Sequence, residues 1–156
     1  MDVVCSKITD FDTWILLARE VEPLFGPMAD ESGFRESLRH AIFLNAAFCI
    51  HSESNGENRG IMGGVVISKE SNEIAWLAVS QPYRRKGYGR KLIEFAISKL
   101  NRRKDIFVQT FDKSAAEGEY ARKLYLDFGF ADIKDGGSNP AGVSTVIMQL
   151  EALKPI

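Results

Sequence analysis

The residues best placed to do chemistry lie together in Val79-Ser-Gln-Pro-Tyr-Arg84-Arg85-Lys86-Gly87-Tyr88-Gly89-Arg90. An apolar strand ends, a short loop follows, and a helix begins with two glycines at its mouth. Arg84, Arg85, Lys86, Arg90 and Lys91 place five cations within eight residues. The first N–H groups of a helix have no backbone partner, and the helix dipole is positive at that end. Glycines at 87 and 89 let the main chain come close to a bound group. This combination suits a pyrophosphate. The spacing is not Gly-x-Gly-x-x-Gly of dinucleotide folds, nor Gly-x4-Gly-Lys-Ser/Thr of nucleotide triphosphatases. Taken alone, the segment also fits a solvated basic helix start that uses glycines for turning.

The elements that position this loop follow from periodicity. Residues 2–8 read as a first strand. Asp10 or Asp12 caps a helix reaching to about Phe25, with Trp14, Leu17, Ala18 and Val21 on one face. Residues 30–32 cap a second helix with a stripe of Phe34, Leu38, Ala41 and Ile42. Residues 47–51 and 61–68 form a hairpin around a polar turn, 52–60. Gly63 and Gly64 within it imply a bulge or a close backbone approach.

Residues 73–80 form an apolar strand, 88–102 a helix, and 105–111 a further strand. Residues 115–128 form a helix with Ala121, Leu124, Tyr125 and Phe128 on one face, capped by Gly129. Strands from Phe130 and over 143–150 flank a loop at 135–142. The order predicts an α/β (α+β) fold. Its sheet is mixed and mostly antiparallel, of about six to seven strands, with helices on both faces. A crossover between the strands at Ala75 and Phe111 makes the central pair parallel.

The bulk properties frame this. The 156 residues, 45% hydrophobic and 26% charged, fit one domain. A net charge of -1 argues against a generally basic nucleic-acid binder. No signal-like run or stretch approaching ~20 apolar residues is seen, so no membrane partner and a cytoplasmic setting are expected. Cys5 and Cys49 are too few for a disulfide framework. His51 has no cysteine, acid or serine at motif spacing, so no metal is expected; His40 lies on a polar helix side. No Gly-x-Ser-x-Gly elbow occurs, which disfavours a serine hydrolase.

Two motifs carry a family resemblance. Arg84-Arg-Lys-Gly87-Tyr-Gly89 is similar to the Arg/Gln-x-x-Gly-x-Gly/Ala signature of the GNAT N-acetyltransferase superfamily, with Leu77-Ala78-Val79 as the strand before it. Leu124-Tyr125-Leu-Asp-Phe-Gly129-Phe130 resembles the family's second motif. The resemblance covers roughly residues 73–130. It implies acetyl-CoA as co-substrate, its pyrophosphate on Arg85–Arg90 and its pantetheine along Leu77, Ala78 and Val79. A bulge there would splay that strand from residues 106–110, and main-chain N–H groups near Leu77 and Val79 would face the thioester oxygen.

The resemblance also implies two proton handlers. Glu73 is the candidate base, direct or through water; a surface glutamate at a strand start is the other reading. Tyr125 is the candidate acid for the departing thiolate; it also fits a buried core tyrosine. Two positions depart from the family. Gly118 stands where many members carry a pantetheine-binding Asn, a contact that either passes to Ser114 or is missing. Pro82 lies one residue late, which predicts a local rearrangement.

The implied acceptor is a small-molecule or peptide amine, in a pocket formed by the first two helices and the last hairpin loop. That places Phe25 to Met28, Phe34 and residues 135–142 around it, with Trp14 and Trp76 as further apolar candidates. A homodimer is compatible with the family. The alternatives are a catalytically silent acyl-CoA-binding domain, in which Glu73 and Tyr125 are dispensable, and a basic-patch nucleic-acid module.

Overall fold

A computed structural model describes residues 2–52 and 60–155. Its strands are β1 (Val4–Cys5), β2 (Ala47–His51), β3 (Ile61–Ser68), β4 (Glu73–Val79), β5 (Ile106–Phe111), β6 (Ala131–Ser138) and β7 (Ser144–Leu150). The helices are α1 (Phe11–Glu20), α2 (Glu22–Phe25), α3 (Ser32–Phe43), α4 (Tyr88–Lys99) and α5 (Glu119–Asp127). One seven-stranded sheet runs β1-β2-β3-β4-β5-β7-β6. Only β4 and β5 pair in parallel, as the strand-helix-strand order requires. The turn expected over residues 52–60 lies almost wholly outside the described residues.

Helices cover both faces, and two adjacent glycines show how closely. Successive strand residues face opposite sides. A Cβ on Gly64 would stand 2.3 Å from the Trp14 ring of α1, and one on Gly63 would stand 3.0 Å from Leu92 of α4. The glycine pair is therefore a close approach on both faces. Trp14, Ile50, Met62, Leu92, Ile106 and Met148 fill the core on either side. The Trp14 indole donates to Ser6 Oγ at 3.0 Å, so its polar edge is satisfied.

Several boundaries differ from the sequence expectation, including α4, which stops at Lys99, and α5, which begins at Glu119. The first strand shortens to Val4–Cys5. The first helix breaks at Val21 into α1 and α2, because Pro23 enters at the first turn of α2. Pro82 sits in a single 3-10 turn, Gln81–Tyr83. The expected loop at 135–142 is mostly strand: β6 runs to Ser138 through two register shifts. The second bulge takes up Gly136 as its extra residue and lets Gly137 pair with Thr145 of β7.

Candidate active site

The parallel pair holds for two residues only, Glu73 with Phe107 and Ile74 with Val108. Beyond Ile74 the strands separate. The cause is a one-residue bulge: Ile74 pairs with Ile67 and Trp76 with Val66, leaving Ala75 extra. The β4 edge facing β5 is thus without a strand partner from Ala75 to Val79. Unpaired main-chain groups on such an edge can accept an extended ligand as an added strand.

Asn72 holds the closed end of this wedge. Its side-chain amide donates to Asn101 O and Asp105 O at 3.0 and 2.9 Å, and its Oδ1 accepts from Asn101 N at 2.8 Å. Phe107 N also donates to Asn72 O. A buried asparagine fully bonded to the turn before β5 fixes where the parallel pair starts. Its place before a strand gave no signal of this in the sequence.

Two cavities run along the opening and share Phe25, Leu77, Phe111 and Ala121. The smaller, about 140 Å³, reaches Val79, Arg84, Arg85 and Gly89 at the phosphate-loop end. The larger, about 340 Å³, lies between Phe25 to Met28 on one face and Ala121 and Tyr125 on the other. It therefore crosses the sheet at the splay. No charged residue lines it among the described residues. As expected, Phe25 to Met28 contribute; Asn139 and Pro140 of the last hairpin loop join them. Phe34 instead packs on Trp76, with ring centroids 6.3 Å apart. The indole N–H of Trp76 is a buried donor without a partner.

The phosphate loop has the shape the glycines implied. Gly87 is the N-cap of α4 with φ 89°, and Arg85 has φ 62°. A Cβ on Gly87 would meet nothing within 4 Å, so the space beside it is open. Two left-handed residues in one loop turn successive N–H groups inward, a shape that binds anions. A left-handed arginine is strained, a cost that persists at functional sites. The five cations have different roles. Arg84 Nε donates to Val79 O at 2.8 Å, with its Nη2 3.9 Å from Glu20. Arg90 pairs with Asp127 at 2.9 Å. Arg85 and Lys86 are exposed on the loop.

Glu20, which the sequence did not single out, anchors the other side. Its carboxylate accepts from Ser80 Oγ at 2.7 Å and from Gln81 N at 2.8 Å. The end of α1 thereby fixes the chain leaving β4. Only the tertiary path brings positions 60 residues apart together.

Tyr125 lines the larger cavity on α5 and is 2% exposed. Burial pushes its phenol well above the ordinary tyrosine range, so the neutral, donating form dominates. Its ring packs edge-on to Phe130 at 5.4 Å. Glu73 is half-buried at the start of β4, opposite Ser68, and does not line either cavity. The bulge at Ala75 shifts the alternation by one, so Glu73 shares a face with Trp76. Gly118 has no room for a side chain: a Cβ there would lie 2.1 Å from Phe111 Cβ. Ser114 is bonded to Asp112 and lines neither of these cavities.

Comparison with known proteins follows this geometry. Residues 45–132 match the acetyltransferase (GNAT) domain. No curated protein matches the chain by sequence. Among solved structures, the chain is similar to the PaiA N-acetyltransferase from Thermoplasma acidophilum in complex with coenzyme A (17% identity, 96% of this chain and 98% of that one, TM-score 0.68). It is also similar to a ribosomal-protein-alanine N-acetyltransferase from Escherichia coli (18% identity, 99% and 95% covered, TM-score 0.65). A third is a chain of the NatC complex bound to Gag peptide and CoA (21% identity, 98% and 100% covered, TM-score 0.72). With the domain match spanning more than half of its residues, the chain belongs to the GNAT acetyltransferase family, transferases whose acetyl donor is acetyl-CoA.

Proposed function

We propose that this single domain transfers acetyl from acetyl-CoA directly to a primary amine carried on an uncharged, largely apolar body. The observation that carries this reading is the larger cavity. Phe25, Met28, Trp76 and Phe111 wall it, and Gln109, Asn139 and Thr145 supply uncharged polar groups. A polyamine buried there would meet no carboxylate to offset its desolvation.

The pantetheine arm lies along the unpaired edge of Leu77, Ala78 and Val79. The pyrophosphate rests on the N–H groups of residues 85–90, helped by Arg85 and Lys86. The amine nitrogen attacks the thioester carbon; the C–N bond forms as the C–S bond breaks. Tyr125 donates its proton to the leaving sulfur. Glu73 accepts the proton from the amine through water, since it stands outside the cavity wall. Cys5 and Cys49 as thiols outside any disulfide fit a reducing cytoplasmic setting.

The test is an acetylation screen comparing arylalkylamines and peptides with apolar N-termini against spermidine. Transfer to the apolar set, with Glu73→Gln and Tyr125→Phe each slowing kcat, supports the reading. Preference for spermidine would refute the acceptor class. Acetyl-CoA binding with no transfer to any amine would favour a silent acyl-CoA-binding domain.

A further inference from the structure

Away from the cleft, at the sheet's other side, three side chains converge. Cys49 and His51 are two apart on β2 and therefore share a face. Asp10, just before α1, meets them. His51 Nε2 lies 2.8 Å from Asp10 Oδ1 and 3.7 Å from Cys49 Sγ, and one ligand atom from each residue fits within 4.8 Å of the others. The pattern is invisible in sequence, because Asp10 is 41 positions from His51.

Two chemistries use a cysteine, a histidine and an acid. A nucleophilic relay needs the acid on one ring nitrogen and the thiol on the other. Here both approach the same nitrogen, Nε2. Atoms that converge on one point instead suit a shared cation. In a tetrahedral zinc shell, neighbouring N, O and S ligand atoms stand roughly 3.4 to 3.6 Å apart. The carboxylate and imidazole need to part by only ~0.6 Å, and the thiol already stands 3.7 Å from the imidazole nitrogen and within 4.8 Å of the carboxylate.

We propose that Asp10, Cys49 and His51 bind one zinc ion, with water in the fourth position. Thiolate with imidazole and carboxylate is a donor set for a borderline-soft divalent ion. Asp10 is pre-oriented, since its other oxygen accepts from Lys7 N at 2.8 Å. The Asp10 and His51 side chains are each 14% exposed, which gives the ion and its water a way in. Binding displaces the Cys49 thiol proton to solvent, and the proton shared by His51 Nε2 and Asp10 leaves for Nδ1 or solvent so that Nε2 can ligate. The ion would pin the start of α1 to β2, and α1 ends at Glu20 on the phosphate loop.

The test uses the full chain, stripped with a chelator. Zinc chloride is titrated in by calorimetry, and cobalt is substituted for absorption spectroscopy. We expect one ion per chain, a thiolate-to-cobalt charge-transfer band, and a zinc-dependent rise in the thermal midpoint. His51→Gln and Cys49→Ala should each weaken zinc by on the order of 100-fold or more, at least the loss seen for outer-shell partners. The charge-transfer band should vanish in Cys49→Ala. The wild-type cobalt spectrum decides the matter even if a variant fails to fold. No stoichiometric binding, a cobalt spectrum without the thiolate band, or affinity indifferent to His51 in a folded variant would overturn the site and leave Asp10–His51 as a hydrogen-bonded pair only.

Discussion

Phe25 and Phe111 stack nearly parallel, ring centroids 5.4 Å apart and planes 8° from each other. Both line both cavities, so the pair stands where the phosphate-loop channel meets the larger, apolar chamber. Phe111 is fixed from behind by Gly118 and Phe25 is flanked by Trp76. In the proposed mode of binding, the thioester passes this pair to reach the amine.

Removing one ring should therefore affect the acceptor first. Losing a buried aromatic wall costs about 1.5–3 kcal/mol, or about ten- to a hundredfold in affinity. Phe25→Ala should raise the acceptor KM by about that factor and change acetyl-CoA affinity less. Steady-state kinetics with each substrate varied in turn checks this. A larger effect on acetyl-CoA would move the acceptor elsewhere.

Gly118→Asn, which restores the residue type common in the family, should destabilise this chain. Phe111 occupies the space a side chain would need. Overpacking of this kind costs about 1–3 kcal/mol, which in a domain this size lowers Tm by roughly 2–4 °C per kcal/mol. Thermal unfolding of wild type and variant measures it; an unchanged Tm with tighter acetyl-CoA would show that Phe111 moves aside.

Much of this was legible in the sequence because it is local. The helix beginning at Tyr88, the open loop at Gly87 and the buried stripe of Leu124 and Tyr125 follow from spacing alone. The parallel pair follows from the order of elements. What was hidden depends on tertiary contact. Glu20 reads as an ordinary helix-end glutamate until Ser80 and Gln81 meet it. Arg84 and Arg90 read as phosphate ligands, but Val79 O and Asp127 engage them. The strand extending to Ser138 was masked by Gly136 and Gly137: Gly136 is taken up as a bulge residue, and Gly137 pairs with Thr145 of β7 despite its turn propensity.

Tyr125→Phe removes the proposed proton donor and leaves the ring's packing. It should lower kcat by about a hundredfold or more, within the range for general acids, with acetyl-CoA affinity unchanged. The direction of the Tyr125 shift sets the pH behaviour. Its folded pKa is raised, so the neutral donor survives past the ordinary value of about 10. No alkaline fall in kcat from this group is expected below that pH. The folded state, which keeps the proton, should lose stability as pH rises above about 10, where the unfolded phenol ionises. Rate profiles and denaturant melts across the alkaline range report both.

Glu20→Ala should loosen the chain leaving β4. It removes the shared partner of the Gln81 N–H and the Ser80 hydroxyl, which water can then reach, at a net cost of about 1 kcal/mol per bond. Acetyl-CoA should bind about tenfold more weakly, while discrimination among amines stays as in wild type. Equal loss for both substrates in the kinetic constants would argue for general unfolding instead.

Acetyl-CoA is proposed to lie in the splay between β4 and β5 with its pyrophosphate on the loop at Gly87. Calorimetric titration of acetyl-CoA into wild type and Gly87→Glu tests it most directly. The open, left-handed position should admit the new carboxylate only into the space meant for phosphate, at some backbone strain. The account predicts saturable one-to-one binding in wild type and its loss in the variant, with the variant's circular dichroism spectrum unchanged. Absent binding in wild type, or equal binding in both, would contradict it.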